Sequence, residues 1–195
     1  MQHIILASQS PRRKMLLEWA EVPFEVIVQI TDESYPEGIS LEDTAIHIAR
    51  NKALAVKDHV KDAFHGEYQG KTILAADTIV VLDNRVIGKP TDREDAIAIL
   101  RALSGQQHQV ITGVVLLHKE GEIAFADCTE VSFHPLTEEE IIFYVDKYAP
   151  YDKAGAYAIQ EWIGVVGIAS IKGDFYNVMG LPVSRVVQAL HTINS

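Results

Sequence analysis

Hydrophobic positions along the chain follow two rhythms. Short apolar runs bounded by turn formers mark strands, and apolar residues three or four apart mark helices. Ile4 to Ala7 reads as a short buried strand. Ser10 and Pro11 suit the N-cap and first position of a helix, predicted to run to about Ala20. Phe24 to Ile30 reads as a second strand. Ser40-Leu41-Glu42-Asp43 has a capping-box character and opens a helix predicted over 41–59. Ile73 to Leu82 is almost wholly apolar and rich in Ile and Val, the pattern of a strand covered on both faces. Asp83-Asn84-Arg85 is a turn, and Val86-Ile87 begins a short return strand. Thr91-Asp92-Arg93-Glu94 reads as a capping box for a helix ending at Gly105. Val110 to His118 and Ile123 to Phe133 flank Lys119-Glu120-Gly121-Glu122, a β-hairpin signal. Thr137 caps a helix to about Tyr148. Ile163 to Ile171 and Phe175 to Met179 read as a hairpin around Lys172-Gly173-Asp174, and a last helix starts near Pro182. Strands and helices alternate early and hairpins follow, which predicts an α/β protein with a mixed sheet. No repeat or Pro/Gly-rich linker interrupts the 195 residues, so a single domain, with or without two lobes, is expected.

Charge narrows the range of partners. Acids outnumber bases 27 to 17, a net charge of −10. Such a chain repels nucleic-acid backbones and anionic membranes, so neither is an expected partner. A small anionic ligand needs a locally basic pocket. The single cysteine, Cys128, excludes an intrachain disulfide and agrees with a reducing compartment. The N-terminal apolar run is short and lacks a basic start, and no run approaches the roughly 18 residues of a membrane span. The cytoplasm is the expected location.

Several residues break the rules of their own elements. The first helix begins Pro11-Arg12-Arg13-Lys14, three bases where the helix dipole favours acids. The same unpaired N–H groups form an anion site, and Ser8, Ser10 and the Arg forks would complete a phosphate cradle without glycines. A solvated basic patch is the competing reading. Lys52 lies inside the apolar arc of Leu41, Ala45, Ile48, Ala49, Ala53 and Val56, so it either snorkels past the core or aims a cation into a cleft. Asp77 interrupts the most apolar strand. A carboxylate there is costly unless paired or metal-bound, and it suits Mg²⁺ binding or deprotonation of water. An Asp satisfied by backbone donors is the rival. Thr31-Asp32-Glu33 puts two more carboxylates at a strand end, and Glu33 with Asp77 could complete a metal site. Gly88-Lys89-Pro90 puts Lys89 on a constrained loop tip. The eight histidines (3, 47, 59, 65, 108, 118, 134 and 191) show no metal spacing. Neither a Walker-type glycine loop nor a Gly-x-Ser-x-Gly elbow is present.

The chain resembles the Maf family of nucleotide pyrophosphatases. The resemblance rests on Leu6-Ala7-Ser8-Gln9-Ser10-Pro11-Arg12-Arg13, Ala75-Ala76-Asp77-Thr78, Gly88-Lys89-Pro90, Leu103-Ser104-Gly105, Asp152-Lys153-Ala154-Gly155-Ala156-Tyr157 with Gln160, and Gly180-Leu181-Pro182. It implies an elongated mixed sheet flanked by helices, in two lobes with a central cleft, as in inosine triphosphate pyrophosphatases. It also implies a homodimer and hydrolysis of a nucleoside triphosphate to monophosphate and pyrophosphate with Mg²⁺ or Mn²⁺. Asp77 matches the family's proposed proton acceptor. Arg12, Thr78 and Gln160 match positions linked to base selectivity, and Ser8, Arg13, Glu33, Lys52 and Lys89 match residues holding phosphates or metal. The subgroup acting on dTTP and UTP is the most similar. The subgroup linked to 7-methylguanosine triphosphate usually lacks the Lys of this motif and has Glu in place of Gln160. A Gln amide donates and accepts, which suits the N3–H and carbonyls of uracil or thymine. Ala158 departs from the Gly common in relatives.

The mechanism expected from this resemblance has Arg13, Lys52 and Lys89 on the triphosphate, a metal on Glu33 and Asp77, and Asp77 activating a water at the α-phosphorus. Canonical or modified pyrimidine nucleotides are the expected substrates. A nucleotide-binding regulator of septum formation, acting without turnover, is the alternative.

Overall fold

The computed structural model describes residues 3–63, 68 and 70–193; His65 lies outside them. In chain order the elements are β1 (Ile4–Leu6), α1 (Pro11–Trp19), β2 (Phe24–Val26), α2 (Leu41–Ala63), β3 (Ile73–Leu82), β4 (Arg85–Ile87), α3 (Arg93–Leu103), β5 (Gln107–His118), β6 (Gly121–Phe133), α4 (Glu138–Tyr148), a 3₁₀ turn (Ala154–Ala156), α5 (Trp162–Val166), β7 (Ile168–Lys172), α6 (Phe175–Met179) and α7 (Val183–Ile193). Among the described residues seven strands form one mixed sheet in the order β2-β1-β3-β5-β6-β7, with β4 paired to β3. β1 is parallel to both neighbours, with Ile5 opposite Glu25 on β2 and Ile73 on β3. Parallel pairing needs long crossovers, and α1 and α2 lie in those connections. Two residues join β5 to β6, a link only an antiparallel pair allows. β4 and β7 are antiparallel to β3 and β6. The α/β class with a mixed sheet predicted from the alternation is what forms. No helix among the described residues is long and apolar enough to cross a membrane.

The chain divides into two compact units. The first holds residues 1–77, 112–127 and 180–195, and the second holds 78–111 and 128–179. In the first, α2 packs on the sheet through Ala49, Ala53, Val56 and Val60 against Ile5, Ile73, Ala75 and Val115, all buried. The small side chains permit a close approach. At Gly113 on β5 the approach is at its limit, because a Cβ there would lie 2.2 Å from the Ala45 backbone. In the second unit α3 and α4 are joined by Arg93 to Asp146 at 2.6 Å and by Arg101 to Glu138. Their buried faces include Ile97, Leu100, Ile141 and Tyr144.

Four sequence expectations need correction. β2 ends at Val26 rather than Ile30. Its partner β1 stops at Leu6, whose carbonyl takes the Ile27 N–H at 3.3 Å as the last bond, and Ile30 is exposed. The hairpin expected over 163–179 is instead α5, β7 and α6. Strand-prone residues at 162–166 coil because Gly167 N–H reaches Ile163 O at 2.8 Å, and Asp174 Oδ1 accepts the Tyr176 N–H at 2.8 Å to start α6. Local bonds here outweigh a β propensity that reflects packing context. The cap of α3 is Asp92, not Thr91: Asp92 Oδ1 accepts from Asp95 N at 2.9 Å, while Thr91 N–H donates to Asp95. α2 continues past 59 to Ala63. The expected caps at Ser40 and Thr137 form, the latter as a full capping box with Glu140.

Candidate active site

α1 begins where β1 ends, so the β1–α1 turn delivers Ser8 and Ser10 to the helix N-terminus. Ser10 is the N-cap and its Oγ accepts from Arg13 N at 3.5 Å, with Pro11 in the first turn. The first turn itself holds no acid. Ser8 is buried, and its Oγ accepts from Ser10 N at 3.2 Å and from Arg13 Nη1 at 3.1 Å. Arg13 is buried too, and its Nε donates to Gly180 O at 2.8 Å. A solvated basic patch does not describe Arg13. Burial pushes the Arg13 guanidinium below its ordinary value, Asp77 counters that, Arg12 lowers it further and Glu33 raises it. A guanidinium is not deprotonated in proteins, so the group carries its charge.

Lys52 projects from the α2 face that Ala45, Ala49 and Ala53 hold against the sheet. It does not snorkel outward. Its Nζ lies 2.6 Å from Asp77 Oδ1 and 2.7 Å from Glu33 Oε1. The Asp77 side chain is 14% exposed, that of Lys52 19% and that of Glu33 49%. The carboxylate that interrupts β3 is therefore satisfied by a lysine two turns along α2 from the Gly113 contact, and backbone donors alone do not explain it. Asp32, beside Glu33, turns away: its carboxylate takes Ser34 N at 2.9 Å and Ser34 Oγ at 2.7 Å. Those bonds hold Asp32 below the usual carboxylate range. The first unit thus carries an Arg13–Ser8 pair and a Lys52–Glu33–Asp77 triad, and Asp77 and Glu33 act electrostatically on Arg13. Arg12, half-buried, adds a further charge to the same helix start.

The donor set bears on a metal. Among the described residues no three His, Cys, Asp or Glu side chains group as a metal site. Two carboxylates nevertheless converge on one cation, the Lys52 ammonium. Mg²⁺ commonly takes one or two carboxylates and completes its octahedron with water and substrate phosphates. Glu33 and Asp77 fit that mode, and they do not fit a metal held entirely by protein.

The second unit carries the remaining predicted residues. Thr78 is half-buried on β3, and Lys89 and Gln160 are exposed. Gly155 N donates to Gly88 O at 3.1 Å, so the Gly88-Lys89-Pro90 loop and the Asp152–Gln160 segment are tied together. Gly155 has φ +71° and a Cβ there would meet Val80 Cγ2 at 2.9 Å, which explains the glycine. His108 Nε2 and Tyr157 Oη are 2.7 Å apart. Burial pushes His108 down to about 4 and Tyr157 up, so both are neutral at pH 7 and the pair fixes the segment without acid–base chemistry. Sequence reasoning missed Tyr144, Glu161 and the Gly180 carbonyl. A tyrosine on the apolar face of a helix reads as core, and a carbonyl has no side-chain signal.

The family model for Maf-like protein matches residues 3–193. A dTTP/UTP pyrophosphatase of Parabacteroides distasonis is 48% identical, covering 96% of this chain and 94% of its own. One from Cytophaga hutchinsonii is 48% identical, over 96% and 82%. One from Bacillus mycoides is 44% identical, over 100% and 97%. With a match spanning nearly every residue, the chain belongs to the Maf family.

Proposed function

We propose that this protein hydrolyses dTTP and UTP, and modified pyrimidine nucleotides of the same shape, to the monophosphate and pyrophosphate. The observation that carries the reading is the Lys52 ammonium bridging Asp77 and Glu33, in the unit where Arg13 and Ser8 line the start of α1. The activity printed for the relatives supports the substrate class.

In this reading Arg13, Lys52 and Lys89 bind the triphosphate, with Ser8 and the N–H groups of α1 adding hydrogen bonds. Ser8 and Gly180 fix the Arg13 fork in advance, so little order is lost when phosphate arrives. Glu33 and Asp77 would hold a bound Mg²⁺ or Mn²⁺, which supplies charge neutralisation at phosphate oxygens and lowers the pKa of a coordinated water. Asp77 takes a proton from the attacking water at a carboxylate oxygen. Lys52 orients that oxygen from 2.6 Å. Gln160 reads the pyrimidine edge with its amide donor and acceptor, and Arg12 and Thr78 assist selection.

A pyrophosphate-release assay across dTTP, UTP, CTP, GTP and ATP, with Mg²⁺ or Mn²⁺, tests the proposal. Release from dTTP and UTP at least about tenfold faster than from the purine nucleotides is expected, the scale of discrimination one well-placed polar contact gives. Binding of these nucleotides without release from any would support a regulator instead.

A further inference from the structure

Gln160 is exposed, yet the turn carrying it is held at both ends. Glu161 N donates to Ala158 O at 3.0 Å, closing a four-residue turn with Ile159 and Gln160 at its centre. Ile159 is buried and anchors one side. Gly164 presses from beyond the turn: a Cβ on it would fall 1.6 Å from Ile159 O. The ends of the turn are held by one phenol. Tyr144 on α4 has no exposed surface. Its hydroxyl accepts from Ala158 N at 3.1 Å and donates to Glu161 Oε2. Glu161 Oε1 in turn lies 3.7 Å from Lys153 Nζ, which also donates to Asp152 Oδ1 at 2.7 Å. Lys153 is itself buried. A phenol has one donor and two acceptor sites, and these two bonds use it on both ends of a single turn. The Tyr148 ring stacks on Tyr144 at 5.0 Å, limiting its rotation.

We infer that Tyr144 is a positioning residue for nucleobase selection: its hydroxyl clamps Ala158 and Glu161 so that Gln160 meets the pyrimidine in one fixed orientation. The inference rests on the proposed reading of Gln160. A Gln side chain has several rotatable bonds, and its two-point match to a pyrimidine discriminates only if its backbone does not wander. Lys153 supports the clamp by holding the Glu161 carboxylate where the phenol can reach it.

The test uses the full chain as Tyr144→Phe, Gln160→Ala and the double variant, assayed on dTTP and GTP, with hydrogen exchange followed at residues 158–161. Tyr144→Phe is expected to speed exchange of the Ala158 amide. It should raise KM for dTTP about tenfold while kcat stays within about threefold, the scale of one hydrogen bond to a charged network. The dTTP preference should fall as in Gln160→Ala, and the double variant should lose no more than Gln160→Ala alone, since coupled residues are not additive. Unchanged exchange at Ala158 would overturn the clamp whatever Gln160 does. Faster exchange with the dTTP preference intact, in a background where Gln160→Ala abolishes it, would overturn the selection role. A Gln160→Ala variant with undiminished preference would overturn the base reading itself, and the inference with it. Should Tyr144→Phe fail to fold, Glu161→Ala removes the second half of the clamp from a partly exposed position; it leaves the Ala158 bond in place, so exchange is read at the residue 161 amide that closes the turn, where no change would overturn the clamp, and the dTTP preference is read as before.

Discussion

Asp77→Asn is expected to leave the fold and nucleotide binding largely intact and to lower turnover by roughly two to four orders of magnitude, the range of a lost general base. The substitution keeps the shape of the side chain and an oxygen able to accept from Lys52 at the position now 2.6 Å away. It removes the charge and the capacity to take a proton from water. Steady-state kcat, with nucleotide affinity measured by calorimetry, checks this. Turnover within about threefold of the parent would remove Asp77 from the chemistry, since such a change is far below the contribution a general base makes.

Lys52→Met separates phosphate binding from packing. Methionine matches the apolar stem of lysine and suits the arc of Ala49, Ala53 and Val56, all buried around it. The ammonium is lost, and with it a cation that touches both Asp77 and Glu33. Catalytic efficiency should fall about 10²–10³-fold, the scale of one electrostatic contact to a reacting phosphate. The urea midpoint should fall as well, by the equivalent of roughly 1–3 kcal/mol, because Asp77, 14% exposed, loses its counter-ion, while the half-exposed Glu33 contributes little. Unchanged efficiency would make Lys52 a structural counter-ion. A collapse in the midpoint without a change in efficiency per folded molecule would point the same way.

The sequence signals that proved informative were contradictions between a residue and its element. Asp77 in an apolar strand and Lys52 in an apolar arc are each unfavourable alone, and the fold makes them partners. Three bases at a helix start are likewise unfavourable until Arg13 is seen folded back onto Ser8 and Gly180. Long periodic elements such as α2 and β3 were legible because many positions agree on one period. The 162–179 region was not, because contacts remote in sequence act there beside local bonds such as that from Gly167 N to Ile163 O. Asn177 donates to Val110 O and Thr129 Oγ1 at 3.0 Å each, and no local pattern announces that. Tyr144 was invisible for a related reason: its ring is ordinary core, and only its hydroxyl, which reaches residues 14 and 17 positions away, has a special task. Of the two adjacent acids the sequence singles out Glu33, and in the fold Asp32 is turned to Ser34 and Glu33 to Lys52.

The bond that is cut is the centre of the account. Hydrolysis of dTTP in water enriched in heavy oxygen, with both products analysed by mass spectrometry, reports it directly. Attack at the α-phosphorus predicts one labelled oxygen in dTMP and unlabelled pyrophosphate. Label in pyrophosphate, or formation of dTDP with orthophosphate, would contradict the account.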